Sequence, residues 1–263
     1  MNRAFVTTNL LDLWAEPKYN SERVSQLFFG EELELYDSKD GYVFVKQNDG
    51  YSGWADERFL KASEQTQKAV RADSENVVQT PFAKTFGTSK GDVISPFSLF
   101  YGTKLHGKNV ASQRNKFSLP DDSAIYLSRS STRPVKQKND KSLAVQIVRD
   151  ARKFLGIPYL WGGITTLGFD CSGFVQTIYG SVGVRLPRDT KDQIGSGKEV
   201  SRDEAKKGDL LFFKRHVGIV IDRESIIHAS IGGGGVRINS LKSGMPEYRE
   251  DLDRNFQQAR RVL

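Results

Sequence analysis

The chain has little sulfur, with a single cysteine, Cys171, and two methionines among its 263 residues. One cysteine cannot form an internal disulfide, so the fold does not depend on oxidation. No apolar run approaches the roughly 20 residues that span a membrane. The first residues also lack the apolar centre of a signal peptide. These absences predict a cytoplasmic protein with no membrane partner.

A basic nucleic-acid-binding surface is also missing from the sequence. Lysine and arginine outnumber aspartate and glutamate by 39 to 32, for a formal net charge of +7. Such a balance can favour anionic partners. The basic residues are scattered, however, and do not form a stripe interleaved with aromatics. We therefore expect no nucleic-acid partner, and we expect a monomer.

The first half of the chain reads as short strands separated by turns. The Asp40-Gly41 and Asp49-Gly50 pairs indicate hairpins. A weak repeat follows at an offset of 72 residues, where LFFG at 27–30 corresponds to LFYG at 99–102. A repeat of this kind indicates a duplicated unit. We predict two small β-barrels, over residues 1–63 and 76–131.

The last part of the chain changes period. Apolar residues follow helical spacing over 143–155 and stop at Gly156. A second helix is predicted to begin near Cys171, and strands are predicted at 208–213, 216–221 and 225–230. Helices followed by a run of strands indicate an α+β domain, which we place at 140–263.

Cys171 is a candidate nucleophile. A thiol at a helix start lies at the positive end of the helix dipole, so we expect its pKa to fall below the free value of about 8.5. Two histidines, His216 and His228, follow it in the chain, and a lone cysteine with later histidines is typical of a thiol nucleophile. The alternative is a small buried apolar residue.

The two histidines must share a face of the sheet to act together. Side chains alternate along a strand, so a turn centred at Asp222 puts His216 opposite His228 on one face. A midpoint between Arg223 and Glu224 puts them on opposite faces. We predict the first arrangement, in which His216 is the general base and His228 orients it. The remaining histidine, His106, is expected at the surface.

A zinc site is the competing interpretation of the same three residues. The chain lacks the close CxxC or HxxxH spacing of such sites. A cysteine at a helix start also suits a nucleophile better, so we expect neither a metal nor another cofactor.

Five ordered motifs carry a family resemblance: PYLWGG at 158–163, DCSGF at 170–174, LPRD at 186–189, GDLLFF at 208–213 and HVGI at 216–219. Over roughly residues 142–262 the chain resembles the NlpC-type peptidases, which are papain-like cysteine peptidases. The resemblance implies an α+β papain-like catalytic domain preceded by two small all-β SH3-like barrels. It also implies the catalytic set Cys171, His216 and His228. Tyr159 would lie beside the thiol and help to hold the oxyanion, and Trp161 would line the substrate wall.

The two barrels point to a subgroup of that family, the γ-D-glutamyl-L-diamino acid endopeptidases, or dipeptidyl-peptidases VI. Similarity to it implies cleavage of muropeptides that have a free N-terminal L-Ala, with release of L-Ala-D-Glu during murein recycling. The first barrel would line the substrate cleft. An ammonium group that loses water needs charge-assisted hydrogen bonds, and the substrate-binding positions implied here are Glu16, Tyr51, Asp170, Ser172, Arg188, Asp189 and Thr190.

Three alternatives stay open at this point. The chain is similar enough to secreted or phage-type wall lysins for the barrels to be wall-binding modules. A non-enzymatic adaptor is a second alternative, and amidase or acyl-transfer chemistry by the same thiol is a third. The diamino acid of the substrate, meso-diaminopimelate or lysine, is also open.

Overall fold

The computed structural model describes residues 3–63, 75–90, 93–108, 114–121, 123–135 and 142–263. Residues 1, 2, 140 and 141 of the predicted domains lie outside these ranges. The chain divides into two compact units, Met1–Val135 and Lys136–Leu263.

The first half of the N-terminal unit is a barrel-like sheet of seven short strands in the order β3-β2-β6-β5-β4-β1-β7. The predicted hairpin at Asp40-Gly41 joins β4 to β5, and both turn residues have positive φ, as a two-residue type I′ turn requires. The strands are β1 Arg3–Val6, β2 Leu10–Trp14, β3 Arg23–Phe28, β4 Glu32–Lys39, β5 Tyr42–Lys46, β6 Ser52–Asp56 and β7 Leu60–Ala62.

The second half repeats this topology strand for strand, in the order β10-β9-β13-β12-β11-β8-β14. The offset of 72 residues is kept throughout, since β1 begins at 3 and β8 at 75, and β5 begins at 42 and β12 at 114. The second sheet thus extends slightly beyond the predicted 76–131. Its strands are β8 Glu75–Val78, β9 Phe82–Phe86, β10 Val93–Phe100, β11 Lys104–Lys108, β12 Arg114–Ser118, β13 Ala124–Ser128 and β14 Thr132–Pro134.

Each barrel has its own apolar core, and one side chain joins them. Phe29 of the first barrel packs into the core cluster of the second, with its ring edge-on to Phe97 at 5.1 Å. Lys61 and Asp121 form an ion pair at 2.7 Å between the same two sheets. Apolar burial and a charge contact therefore hold the barrels together in one unit.

The C-terminal unit combines a six-stranded antiparallel sheet, in the order β17-β22-β18-β19-β20-β21, with a small hairpin and four helices. The helices are α1 Leu143–Arg152, α2 Cys171–Gly180, α3 Thr190–Gln193 and α4 Glu250–Arg254. The strands are β15 Ile164–Thr165, β16 Gly168–Phe169, β17 Lys198–Val200, β18 Leu210–Phe213, β19 His216–Val220, β20 Ser225–Ser230, β21 Gly235–Ser240 and β22 Phe256–Arg261.

Helix α2 is the central element of this unit because it packs against β19 and β20 as well as α1. Its side chains Phe174, Val175 and Ile178 are fully buried. The α+β class and the two preceding β-barrels predicted from the sequence are confirmed. In the described part of the chain, no helix has the length and apolar character needed to cross a membrane.

Candidate active site

Cys171 is the first residue of α2, as the sequence predicts. The helix begins there because Asp170 caps it, with Oδ1 accepting a hydrogen bond from the Gly173 N–H at 2.6 Å. A carboxylate at this position satisfies one of the free N–H groups of the first turn. The cap fixes where the thiol enters the domain.

The thiol is buried between α2, α3 and β19. Its sulfur lies 3.7 Å from the Thr190 hydroxyl, and the backbone N–H groups of Val217 and Ser172 are directed at it. Val217 is the residue after His216 in β19, so the thiol lies at the end of the strand that carries the predicted base.

The expectation of a lowered thiol pKa is wrong. Burial raises the pKa of Cys171, and the negative charge of Asp170 raises it further. The Thr190 hydroxyl and the two N–H groups act in the opposite direction but do not outweigh desolvation. The unliganded site therefore holds a neutral thiol.

His216 and His228 share one face of the sheet, but they are not opposite each other. In the observed register Ile219 pairs with Ile227 and Val220 with Ile226, which centres the turn at residue 223. The predicted centre at Asp222 is thus wrong by one position. Because the shift moves each pair by two residues, the alternation is preserved and the rings meet diagonally, with His216 Nε2 2.6 Å from His228 Nδ1.

Gly218 makes the diagonal contact possible. It lies across from His228 in this register, and a Cβ built on it would come within 3.3 Å of the His228 Cβ and 2.8 Å of Ile226 Cδ1. The missing side chain leaves room for the His228 ring, which is completely buried.

Both imidazoles are held neutral. Burial lowers the pKa of His216 to about 3, and the neighbouring His228 and Arg249 lower it further. Burial also lowers the pKa of His228 to about 4, against a hydrogen bond from its ring to Asn239 that raises it. A neutral thiol beside a neutral imidazole pair suits general-base activation at the moment of attack.

Asp170, Ser172 and Arg188, predicted to bind substrate, form a buried network of their own. Arg188 donates from Nη1 to Asp170 Oδ1 at 3.1 Å and from Nη2 to Oδ2 at 2.5 Å, and it also reaches the Ser172 hydroxyl at 2.9 Å. Asp170 Oδ2 further accepts from the Gly162 N–H at 3.0 Å. The fork orients the start of α2, while contact with a substrate stays a prediction.

The other residues predicted around the thiol are more open. Burial raises the pKa of Tyr159, as do the charges of Cys171 and Asp170, so its phenol lies within electrostatic range of the sulfur. Trp161 is 58% exposed. Asp189 directly precedes α3, and burial raises the pKa of its carboxyl.

Glu16 and Tyr51 belong to the N-terminal unit. The Glu16 carboxylate pairs with the Lys18 ammonium at 2.7 Å, and both side chains are exposed. Tyr51 packs against the core of the first barrel, and its hydroxyl donates to the Val24 carbonyl at 3.4 Å. Their role at the substrate cleft, and that of the barrel, stays a prediction.

Sequence reasoning missed two polar residues that support the site. Asn239 Oδ1 lies 2.9 Å from His228 Nε2, on the strand beyond His228. Gln193 of α3 donates to the carbonyls of Ser172 at 3.0 Å and Pro187 at 2.9 Å. The available signal was spacing, because Asn239 follows His228 by 11 residues, nearly the 12 that separate the two histidines.

A cavity of about 220 Å³ opens beside His216. Arg249 and Asp251 bring opposite charges to its lining and pair with each other through two 2.7 Å contacts. Across the residues that the structure describes, no three histidine, cysteine or acidic side chains are grouped to hold a metal ion.

Comparison with protein families matches residues 156–254 to the NlpC/P60 family and residues 13–59 to the bacterial dipeptidyl-peptidase Sh3 domain. A Lysinibacillus sphaericus protein named dipeptidyl-peptidase 6 is 27% identical over 258 residues, which are 95% of each chain. A Bacillus subtilis γ-D-glutamyl-L-lysine dipeptidyl-peptidase is 30% identical over 245 residues, 87% of this chain and 78% of the relative.

A crystal structure of an NlpC/P60 family protein from Bacillus cereus superimposes with a TM-score of 0.81 at 24% identity and covers 99% of each chain. This likeness shows a shared fold along the whole length. Together with the matched family regions and the near-full-length relatives, it shows that the chain belongs to the NlpC/P60 family of cysteine peptidases and carries a bacterial dipeptidyl-peptidase SH3 domain before the peptidase domain.

Proposed function

We propose that the protein is a cysteine endopeptidase that hydrolyses the γ-D-glutamyl-L-diamino acid bond of muropeptides with a free N-terminal L-Ala, releasing L-Ala-D-Glu. The observation that carries the proposal is Cys171 at the start of α2, next to a strand whose His216 contacts His228 at 2.6 Å. Near-full-length relatives named as dipeptidyl-peptidases support the choice of substrate.

The chemistry follows from the neutral resting state. The thiol of Cys171 attacks the γ-carbonyl of D-Glu while His216 takes its proton, and His228 stabilises the imidazolium that forms. The N–H groups at the start of α2 and the Tyr159 hydroxyl stabilise the oxyanion. His216 then gives the proton to the leaving amine, and water hydrolyses the thioester.

The cavity beside His216 suits the leaving residue. A diamino acid carries a carboxylate and a second amino group, and Arg249 and Asp251 bring one charge of each sign to the cavity wall. Charge-assisted hydrogen bonds of this kind orient a polar ligand strongly.

The substrate class places the protein in peptide recycling rather than in opening of the intact wall. A free N-terminal L-Ala exists only after the peptide has been separated from the glycan, where that nitrogen is an amide. We propose that the enzyme acts as a monomer on such released peptides, and its cytoplasmic location stays a prediction.

The decisive assay incubates the full chain with L-Ala-γ-D-Glu-L-Lys, with the meso-diaminopimelate analogue and with the N-acetylated form of each. We expect L-Ala-D-Glu from the free-amine peptides alone and none from the Cys171→Ala variant. Cleavage of intact sacculi would identify a wall lysin, and the absence of any cleavage would support the adaptor alternative.

A further inference from the structure

The residues behind the histidine pair form a line of polar groups across three neighbouring strands. His216 lies on β19, His228 on β20 and Asn239 on β21, each diagonal to the next on one face of the sheet. The line leads from the strand next to the thiol to Asn239, which is only 1% exposed. A buried amide in this place needs partners for both of its ends.

The orientation of the Asn239 amide is determined by a backbone carbonyl. Its Nδ2 donates to the Glu247 carbonyl at 3.0 Å, and a carbonyl can only accept. The Glu247 carbonyl also accepts from the Ser240 N–H at 3.0 Å, while the Arg249 N–H donates to the Ser240 carbonyl at 3.0 Å. The acceptor is therefore held from both sides, and the Asn239 oxygen must face His228.

Hydrogen-bond direction then passes along the line one group at a time. The Asn239 oxygen accepts only, so His228 Nε2 at 2.9 Å carries a hydrogen. In a neutral imidazole the other nitrogen is bare, so His228 Nδ1 accepts from His216 Nε2 at 2.6 Å. The hydrogen of His216 is thereby placed on Nε2, and Nδ1 is left with its lone pair.

We propose that Asn239 is a positioning residue: its amide sets the direction of each hydrogen bond from the Glu247 carbonyl to His216, and so keeps Nδ1 of His216 unprotonated and able to accept the thiol proton. Were His228 to carry its hydrogen on Nδ1, His216 would have to carry its own on Nδ1. That ring could not act as the base. The proposal deepens the function proposed above and rests on it for its kinetic test alone.

The first test is spectroscopic and needs no substrate. The chain has three histidines, so ¹⁵N NMR of the ring nitrogens can be assigned by single His variants. In the wild-type protein at neutral pH we expect His216 and His228 both to carry the hydrogen on Nε2. A hydrogen on Nδ1 of either ring would overturn the proposal.

The second test uses two variants of similar volume. Asn239→Leu removes the acceptor, whereas Asn239→Asp keeps an oxygen toward His228. In the serine-protease triad the wrong tautomer costs about 10⁴-fold in kcat, and for a residue one step further out we expect at least about a tenfold loss for Asn239→Leu with KM unchanged. Asn239→Asp should keep the wild-type tautomers and more of the activity.

Asn115→Leu is the matched control. Asn115 is also a buried asparagine, at 4% exposed, and donates to Thr132 Oγ1 at 3.1 Å in the second barrel. Its kcat should stay at the wild-type value. Unchanged tautomers and kcat in Asn239→Leu would refute the positioning role. If the peptide is not cleaved by the wild type, the NMR result still decides the hydrogen-bond directions, so the two failures are distinguishable.

Discussion

Nε2 of His216 and Nδ1 of His228 lie 2.6 Å apart even though the two residues are offset by one pair along the sheet. The contact exists because Gly218, directly across from His228, contributes no side chain. The catalytic pair thus depends on a residue that has no chemical role of its own.

Gly218→Ala is expected to lower kcat by about 10- to 100-fold, because a small displacement of a positioned group can cost about that much. The added Cβ would lie 2.8 Å from Ile226 Cδ1 and 3.3 Å from the His228 Cβ. Overpacking of this kind also destabilises by about 1–3 kcal/mol. Steady-state kinetics and urea unfolding measure the two effects. Gly180→Ala, at the end of α2 with nothing within 4 Å, is the control and should keep full activity.

Arg188→Met should destabilise the peptidase unit by about 3–5 kcal/mol, since it leaves the buried Asp170 carboxylate without its counter-charge. Arg188→Lys should cost less but still disturb the site, because an ammonium cannot form the two-pronged contact. Thermal unfolding and the rate of Cys171 alkylation report the change. Arg185→Lys, at a nearby exposed arginine, should match wild type in both measurements.

The peptidase unit should lose stability as the pH falls below about 6.5. The pKa values of His216 and His228 are lowered from 6.5 to about 3 and about 4, so the unfolded chain binds more protons than the folded one in that interval. Each histidine contributes a slope of about 1.4 kcal/mol per pH unit there. Hydrogen exchange, followed on peptides of this unit between pH 4.5 and 8, measures it. His216→Gln should reduce the slope, and an unchanged slope would contradict the assignment.

Glu31 predicts the opposite sign for the barrel unit. Burial raises the pKa of this carboxyl from 4.5 to about 7, although hydrogen bonds from the Gln47 side chain and the Phe28 N–H act against it. The folded state holds the proton more tightly, so stability is lost as the pH rises from 4.5 through 7. Glu31→Gln should therefore stabilise the barrels at pH 8 by at least about 1 kcal/mol and have little effect at pH 4.5. Equal effects at both pH values would exclude this explanation.

Glu16→Ala should raise KM for a free-amine peptide by at least about tenfold, the value of one charge-assisted hydrogen bond. Labelling of Cys171 by a small thiol reagent should not change. Lys18→Ala is the informative counterpart, because Lys18 now pairs with the Glu16 carboxylate at 2.7 Å, and its removal should leave KM equal or lower. An unchanged KM in Glu16→Ala would remove Glu16 from the substrate site.

Much of the fold could be read from local patterns. The offset of 72 residues predicted a second barrel, and the structure repeats all seven strands at that offset. The cap sequence at Asp170 predicted a helix beginning at Cys171. Strand alternation also predicted that His216 and His228 share a face, since a shift of the turn by one residue preserves parity.

The register, the burial and the directions of the hydrogen bonds were decided only by tertiary structure. Periodicity and capping act within a few residues along the chain, so the sequence by itself determined which elements form and where Cys171 lies. The raised pKa of the thiol, the diagonal histidine contact and the partnership of Asn239 with His228 arise from groups that are distant in sequence. Desolvation and hydrogen-bond direction depend on what surrounds a group in space, which only the folded chain specifies.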